Sequence, residues 1–344
     1  MENMPKENIL VWLPSPMGDA ILCTPALRAL RRRFDSAKIT FFGSSTVRQA
    51  LSPSPFTDFW LELDNKGFAA NISSLRQHHF THAILFKNSF ESAITSFLAG
   101  IPARIGYARE VRGIFLTDRL SPPKLASGDF KPISVVDYYL AVASHLGADI
   151  NNRAIELSID QKDAQSVKAK LPQIFNSKGP VVILVPGAAG PAKRWPAERF
   201  GKIADRLVTD YNAAVVLSIA PNPEEKAIAE KIINTTTHKL FNLADTPVSL
   251  GELKAIYAAA DLVICNDTGP RHIAIAFKRK IVTLVGPNNP EWTDPAYKDE
   301  EFIKGDTFCA PCDKGVCRQK LHLCMEAITV ERVCETAAKV LNAK

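Results

Sequence analysis

Leu262-Val263-Ile264-Cys265-Asn266-Asp267-Thr268-Gly269-Pro270-Arg271-His272-Ile273-Ala274-Ile275-Ala276-Phe277 changes character halfway along. The apolar run 262–265 reads as a buried strand. From Pro270 onward the pattern is a short helix, since proline is favoured at a first helical position and Thr268 or Gly269 can cap it. Such a turn aims backbone N–H groups, the positive end of a helix and the side chains of Asp267, Thr268 and His272 at one point, which is an anion site. Taken alone, the same residues are also a well-capped turn with no ligand.

A second strand-to-helix turn lies far away in the chain. Ile9-Leu10-Val11-Trp12-Leu13 runs into Pro14-Ser15-Pro16-Met17-Gly18-Asp19, followed by a helical pattern from Ala20 to Phe34. Two such turns, one in each half, predict a cleft between two domains.

Between and beyond them, strand and helix patterns alternate. The second half predicts strands at 181–185, 214–219, 239–241, 262–265 and 281–285, with helices at 197–211, 223–234 and 250–260. The first half predicts strands at 9–13, 38–43, 58–63 and 82–87, with helices at 20–34, 45–51, 71–79, 90–99 and 134–147. Residues 101–113 read as an irregular stretch bearing Arg104, Arg109 and Arg112. β-Branched strands alternating with helices mean parallel sheets covered on both faces, whose ligands sit beyond the carboxyl ends of the strands. The polar stretch 171–180 resembles a linker, dividing the chain into domains 1–172 and 173–344.

The chain has 344 residues, 46% of them hydrophobic and 23% charged, with a net charge of +6. That length suits two domains of ordinary size. The charge is too mild to argue for nucleic acid. No apolar run reaches the ~20 residues of a membrane helix, and the N-terminal residues lack a secretory core, so a cytoplasmic protein is expected. Arg28, Arg31, Arg32 and Arg33 cluster on the first helix, either as a solvated face or as a contact for an anionic membrane surface or phosphorylated acceptor. Of seven cysteines, Cys23, Cys265 and Cys334 fall in apolar patterns and read as core. Cys309, Cys312, Cys317 and Cys324 cluster in a loop, where a structural zinc and plain reduced thiols are both open readings.

Met17-Gly18-Asp19, then Pro186-Gly187-Ala188-Ala189 with Lys193-Arg194-Trp195-Pro196, then Asp267-Thr268-Gly269-Pro270-x-His272 occur in the order found in glycosyltransferase family 9, the ADP-heptose:lipopolysaccharide heptosyltransferases, which the whole chain resembles. The tail ending His322-Leu323-Cys324-Met325 is similar to the heptosyltransferase II branch. The resemblance implies a GT-B architecture, two Rossmann-like domains facing each other across a cleft. The first would bind the acceptor and the second the nucleotide sugar. It also implies inverting, metal-independent transfer of heptose from ADP-heptose to the inner core of lipopolysaccharide in a Gram-negative cell envelope, most simply as the second heptose, with the enzyme cytoplasmic or peripheral on the inner membrane.

The reaction needs a base for the incoming hydroxyl, and Asp19 at a loop tip is the candidate; its rival role is to cap the helix from Ala20. The departing diphosphate needs positive charge, for which Lys193, Arg194 and the amides of Thr268 and Gly269 are candidates. The resemblance implies donor contacts at Asp267 and His272, and a ribose-contacting acid near 220–225, where Glu224 is named and Glu225 remains open. Trp195 either belongs to the site or packs the helix from 197. Arg104, Arg109 and Arg112 either bind acidic groups of the acceptor or form structural salt bridges. The competing functions are a different GT-B transferase, a nucleotide-sugar epimerase, or a non-catalytic nucleotide-sugar-binding protein. A zinc hydrolase does not fit, since four cysteine ligands leave no open coordination position.

Overall fold

The computed structural model describes residues 7–63, 67–319 and 321–343. The chain divides into two units, one running to Ser158 and taking in Glu291–Pro295, the other holding Ile159–Pro290 and the residues from Ala296. None of the described helices is long and apolar enough to cross a membrane.

The first unit is built on a parallel sheet of β1 (Asn8–Trp12), β2 (Lys38–Gly43), β3 (Phe59–Glu62), β4 (His82–Leu85), β5 (Ala103–Tyr107) and β6 (Asp118–Leu120), in the order β3-β2-β1-β4-β5-β6. The second has β7 (Val181–Val185), β8 (Ala214–Leu217), β9 (Phe241–Asn242), β10 (Leu262–Asn266), β11 (Lys280–Val285) and β12 (Glu300–Lys304), in the order β12-β11-β10-β7-β8-β9. Both are the doubly wound arrangement, with the winding reversing between β1 and β4 in one sheet and between β7 and β10 in the other. All residues of β7 and β10 are buried, which is why those segments are continuously apolar instead of alternating.

Some elements depart from the sequence reading. The stretch expected to be irregular, 101–113, contains β5, and β6 lies just beyond it, where no element was expected. β12 carried too many acids to be read as a strand. The expected helix 20–34 is two helices, Met17–Leu22 and Thr24–Arg33. Pro25 has no N–H for the carbonyl of Ile21, and the Thr24 hydroxyl donates to that carbonyl at 2.9 Å instead.

The unit boundary lies after Ser158, so the polar 171–180 stretch belongs inside the second unit. The helix Gln161–Lys170 packs on the helix Leu250–Ala258 through Glu252, which accepts from Ser166 Oγ and Lys170 Nζ, both at 2.6 Å. Burial alone would raise the Glu252 carboxyl, but these donors and the Ser249 N–H bring it down to about 2.

The arginine cluster on the first helix is largely structural. Arg28 is buried, holding the carbonyls of Ala154 and Asn152 and the Glu156 carboxylate. Arg31 binds Asp58 at 2.9 Å and the Ala37 carbonyl at 2.6 Å, and Arg33 reaches the Leu146 carbonyl at 3.2 Å.

In the second unit a fully buried ion pair locks the sheet edge to the helix Gly269–Ala276. Arg271 Nη2 lies 2.8 Å from Glu300 Oε2, both side chains have no solvent exposure, and Thr283 Oγ1 donates to the same carboxylate. Removing one member strands the other charge in the interior. Glu300→Ala should therefore cost about 3–5 kcal/mol of stability in urea unfolding, whereas Lys339→Ala, at the exposed pair with Glu301, should cost no more than about 1 kcal/mol. Equal small effects would show that the buried pair is not a stabilising lock.

Candidate active site

Both winding reversals deliver candidate residues. In the second unit the segment after β7 runs from Pro186 through a 3-10 turn, Pro191–Lys193, and is tied to the end of β10 by Asn266. The Asn266 amide donates to the Pro186 carbonyl at 2.8 Å and accepts the Trp195 N–H at 3.1 Å. This staple brings Lys193 Nζ to 3.3 Å from Asp267 Oδ2, although 74 residues separate them. Asn288 Nδ2 donates to the same oxygen at 3.1 Å, and Arg271 Nη1 lies 3.6 Å from Oδ1.

Asp267 is buried, and burial opposes its charge, yet Lys193 first and then Arg271 hold its carboxyl below the ordinary value. His272 is driven the other way. Burial first, then the positive charge of Arg271, outweigh Asp267 and lower the imidazole to about 3, so it is neutral at physiological pH; its Nδ1 is buried without a hydrogen-bond partner. Thr268 is the N-cap residue of the helix Gly269–Ala276, but its side chain makes no capping bond, contrary to the simple reading of the turn. An ammonium has three donors and Lys193 gives one to Asp267. The arrangement is thus a lysine positioned by a buried carboxylate beside a positive helix end, suited to an oxyanion.

The other donor-side candidates fall in different places. Arg194 braces the loop, with Nε and Nη2 on the Ala188 carbonyl at 2.9 and 2.8 Å and Nη1 on Glu224. Glu224 is an exposed partner of Arg194. Glu225 turns inward, accepting from Ala220 N at 2.8 Å, and its carboxylate crowds Gly187 so closely that a Cβ there would lie 2.4 Å from Oε2. Trp195 is core: its indole N–H donates to the Ile328 carbonyl at 2.9 Å and its ring meets Phe200 edge-on. A cavity of about 420 Å³ is lined by Pro186, Arg194, Trp195, Ile228 and His322 among others, on a wall that includes neither Lys193 nor Asp267. Asn266, Asn288 and Arg271 were missed as site residues. The visible signal was a polar Asn closing an apolar strand.

In the first unit Asp19 lies in the first turn of the helix Met17–Leu22, whose N-cap residue is Pro16, so it is not a cap. It lines a cavity of about 210 Å³ with Asn88, Arg109, Lys131, Tyr138, Tyr139 and Trp292 among others. Behind it, burial and then the charge of Asp19 or neighbouring groups keep Cys23 and Tyr139 protonated. Of the three arginines expected to meet an acceptor, only Arg109 lines this cavity, its guanidinium 4.2 Å over the Phe130 ring. Arg104 instead holds the carbonyls of Phe115 and Pro102 at 2.6 and 3.0 Å. Arg112 is fully buried on Tyr107 O at 2.8 Å and Asn88 Oδ1 at 3.1 Å.

Of the two readings left open for the clustered cysteines, the structural zinc finds no support in the described residues. Among the described residues no group of three or more His, Cys, Asp or Glu side chains is placed to hold a metal ion. Two of the thiols bond within their own turns, Cys309 Sγ lying 3.6 Å from Thr307 Oγ1 and Cys317 Sγ accepting from Gln319 N at 3.4 Å, while Cys312 is exposed and Cys324 is buried.

A neutral His272 has a measurable consequence. Its value falls from 6.5 in a free chain to about 3 in the fold, so between these the unfolded chain binds a proton that the native one refuses. Its contribution to stability is therefore lost as pH drops below 6.5 toward 3. NMR titration should show its ring unprotonated throughout mildly acidic pH, and His272→Gln should lose part of the acid sensitivity. A ring titrating near its free value would refute this electrostatic picture.

The sequence profile of glycosyltransferase family 9 (heptosyltransferase) matches residues 69–322. Lipopolysaccharide heptosyltransferase 2 of Escherichia coli K12 is 27% identical over 342 residues, spanning 95% of this chain and 96% of that one. The structure of E. coli ADP-heptose lps heptosyltransferase II superposes with a TM-score of 0.79 at 26% identity, covering 97% of this chain and 98% of that one. A glycosyl transferase family 9 structure from Veillonella parvula has a TM-score of 0.82 at 22% identity, covering 97% of both chains. With both sheets wound alike and the Lys193–Asp267 pair at the reversal of the second, this chain is a glycosyltransferase of GT-B type and belongs to glycosyltransferase family 9, the heptosyltransferases.

Proposed function

We propose that the protein transfers heptose from ADP-heptose to the inner core of lipopolysaccharide, with inversion, and that it adds the second heptose. The observation that carries this reading is the Lys193–Asp267 pair beside the helix end at Gly269, a ready contact for a diphosphate. The near-full-length similarity to proteins named heptosyltransferase 2 supports the second-heptose assignment. Family membership favours transfer over the epimerase and binding-protein alternatives.

In the proposed reaction Asp19 accepts the proton of the acceptor hydroxyl as its oxygen bonds to the anomeric carbon. The bond from that carbon to the diphosphate oxygen breaks, and ADP leaves with the electron pair. Lys193 and the positive end of the helix Gly269–Ala276 stabilise the growing negative charge. Asp267, Asn288 and Arg271 fix the lysine and the turn. Thr268 and His272 complete the donor contacts, the latter as a neutral group. Arg194 braces the 186–195 segment through the Ala188 carbonyl, and Glu225, held against Gly187, joins Glu224 as a candidate for the ribose. Arg109, with Lys131, meets acidic groups of the acceptor in the first unit. The chemistry calls on no cofactor. The acceptor is a lipid, so the enzyme works at the cytoplasmic side of the inner membrane as a peripheral protein.

Incubation with ADP-heptose and inner-core acceptors carrying no heptose or one, with products weighed by mass spectrometry, tests the assignment. One added heptose on the monoheptosylated acceptor is expected; transfer solely to the heptose-free acceptor would make this the first-heptose enzyme. In the same assay Asp19→Asn should lower kcat by about 10² to 10⁴ with little change in donor affinity. Lys193→Ala should lower kcat by about 10² to 10³ and also weaken donor binding. Wild-type turnover in either variant would remove that residue from the mechanism.

A further inference from the structure

The helix Phe90–Leu98 is turned inside out. Its buried residues are Ser92, Ala93, Thr95 and Ser96, while Phe90, Ile94, Phe97 and Leu98 recur at one-face helical spacing on the outward side. Phe90, Phe97 and Leu98 are exposed and Ile94 is half-buried. Ordinary helix amphipathicity puts the large apolar face against the sheet, so this pattern calls for another partner.

The neighbouring turn continues the surface. Phe115 packs against both Phe90 and Phe97 with ring centroids 5.4 Å apart in each case. Beside it Val111 is 76% and Ile114 69% exposed. Val111 is held at φ 63°, a left-handed conformation that a β-branched residue adopts only when its surroundings impose it. The next residue, the buried Arg112, donates to the Tyr107 carbonyl, to Lys87 O and to Ser92 Oγ, the last at 3.2 Å, and so fastens this turn to the start of the inverted helix. The patch is a braced platform.

Its surroundings are basic. Arg76 grips the Leu98 carbonyl at 2.7 Å, Arg104 lies 5.3 Å over the Phe97 ring, and the exposed Arg119 flanks Gly113. Of the acids nearby, Glu91 is paired with Lys87 and Asp118 with His145, leaving Glu110 as the remaining exposed carboxylate in the turn. Aromatic and branched side chains with an arginine margin match a bilayer of anionic phospholipid, apolar groups entering below the headgroups and guanidinium groups meeting phosphate. The patch also adjoins the acceptor side: Arg109, a wall of the Asp19 cavity, is two residues from Val111.

We propose that Phe90, Phe97, Val111 and Ile114, with Arg76, Arg104 and Arg119 around them, form the surface by which this protein docks on an anionic phospholipid bilayer. The assignment rests on the reading of a lipid-anchored acceptor and replaces the arginines of the first helix as the membrane contact.

Flotation with vesicles of phosphatidylglycerol and phosphatidylcholine, against phosphatidylcholine alone, tests it with the full chain. Wild type should float with the anionic vesicles and be released by salt. The double variant Phe97→Ser, Ile114→Ser should bind about tenfold less or weaker still, and Arg119→Glu should weaken binding at low salt. Both variants should transfer heptose to a lipid-free core oligosaccharide at the wild-type rate. Wild type that ignores anionic vesicles, or a double variant that floats like wild type, would overturn the docking surface. So would a wild-type dimer in solution that the double variant turns into a monomer, since the patch would then belong to a second copy. Vesicle binding lost in the variants of a protein that transfers no heptose would uphold the surface and refute the enzymatic reading.

Discussion

The reversal of winding direction in each sheet is the constraint on which the candidate site depends. Where neighbouring parallel strands send their connections to opposite faces, the two loops at their carboxyl ends diverge and leave an opening. Beyond β7 and β10 stand Lys193 and Asp267, and beyond β1 and β4 stand Asp19, in the first turn of the following helix, and Asn88. Buried hydrogen bonding then sets the geometry. Asn266, with no solvent exposure, spends its side-chain amide on backbone groups at both ends of the 186–195 segment, so the lysine loop is held from its root.

Charge is arranged around that opening with little waste. A buried carboxylate is costly unless several donors reach it, and Asp267 has Lys193, Asn288 and Arg271 around it. Arg271 is in turn neutralised by Glu300. Burial, and then the charge of Arg271, keeps His272 neutral, so the turn carries one fixed negative charge beside a lysine and a helix end. In the proposed reaction an anionic ligand would meet positive groups already in place, which lowers the reorganisation needed when charge develops on a leaving group.

Much of this was legible in the chain itself, because continuous apolar strands and strand-to-helix turns are local signals. Asp19, Lys193, Asp267 and His272 each stand in such a turn, and helices such as Ala197–Tyr211 appear with the expected ends. What was not legible depends on partners distant in sequence. Nothing local distinguishes Arg109, which faces a cavity, from Arg112, which is buried on carbonyls, or from Arg104, which braces Phe115. The Asn266 staple and the Arg271–Glu300 pair are long-range for the same reason. The cysteine spacing left a metal open, but among the described residues the thiols are not grouped to hold one, and Cys309 and Cys317 bond within their own turns. The inverted helix Phe90–Leu98 has an ordinary helical pattern, and only the fold shows that its apolar face looks outward.

The central claim is that the opening between β7 and β10 receives the nucleotide diphosphate. A crystal structure of the protein with ADP tests it most directly. The account predicts the terminal phosphate within hydrogen-bonding distance of Lys193 Nζ and the backbone amides at Thr268 and Gly269. ADP lodged instead in the cavity lined by Trp195, Ile228 and His322, with Lys193 still engaged solely by Asp267, would contradict it.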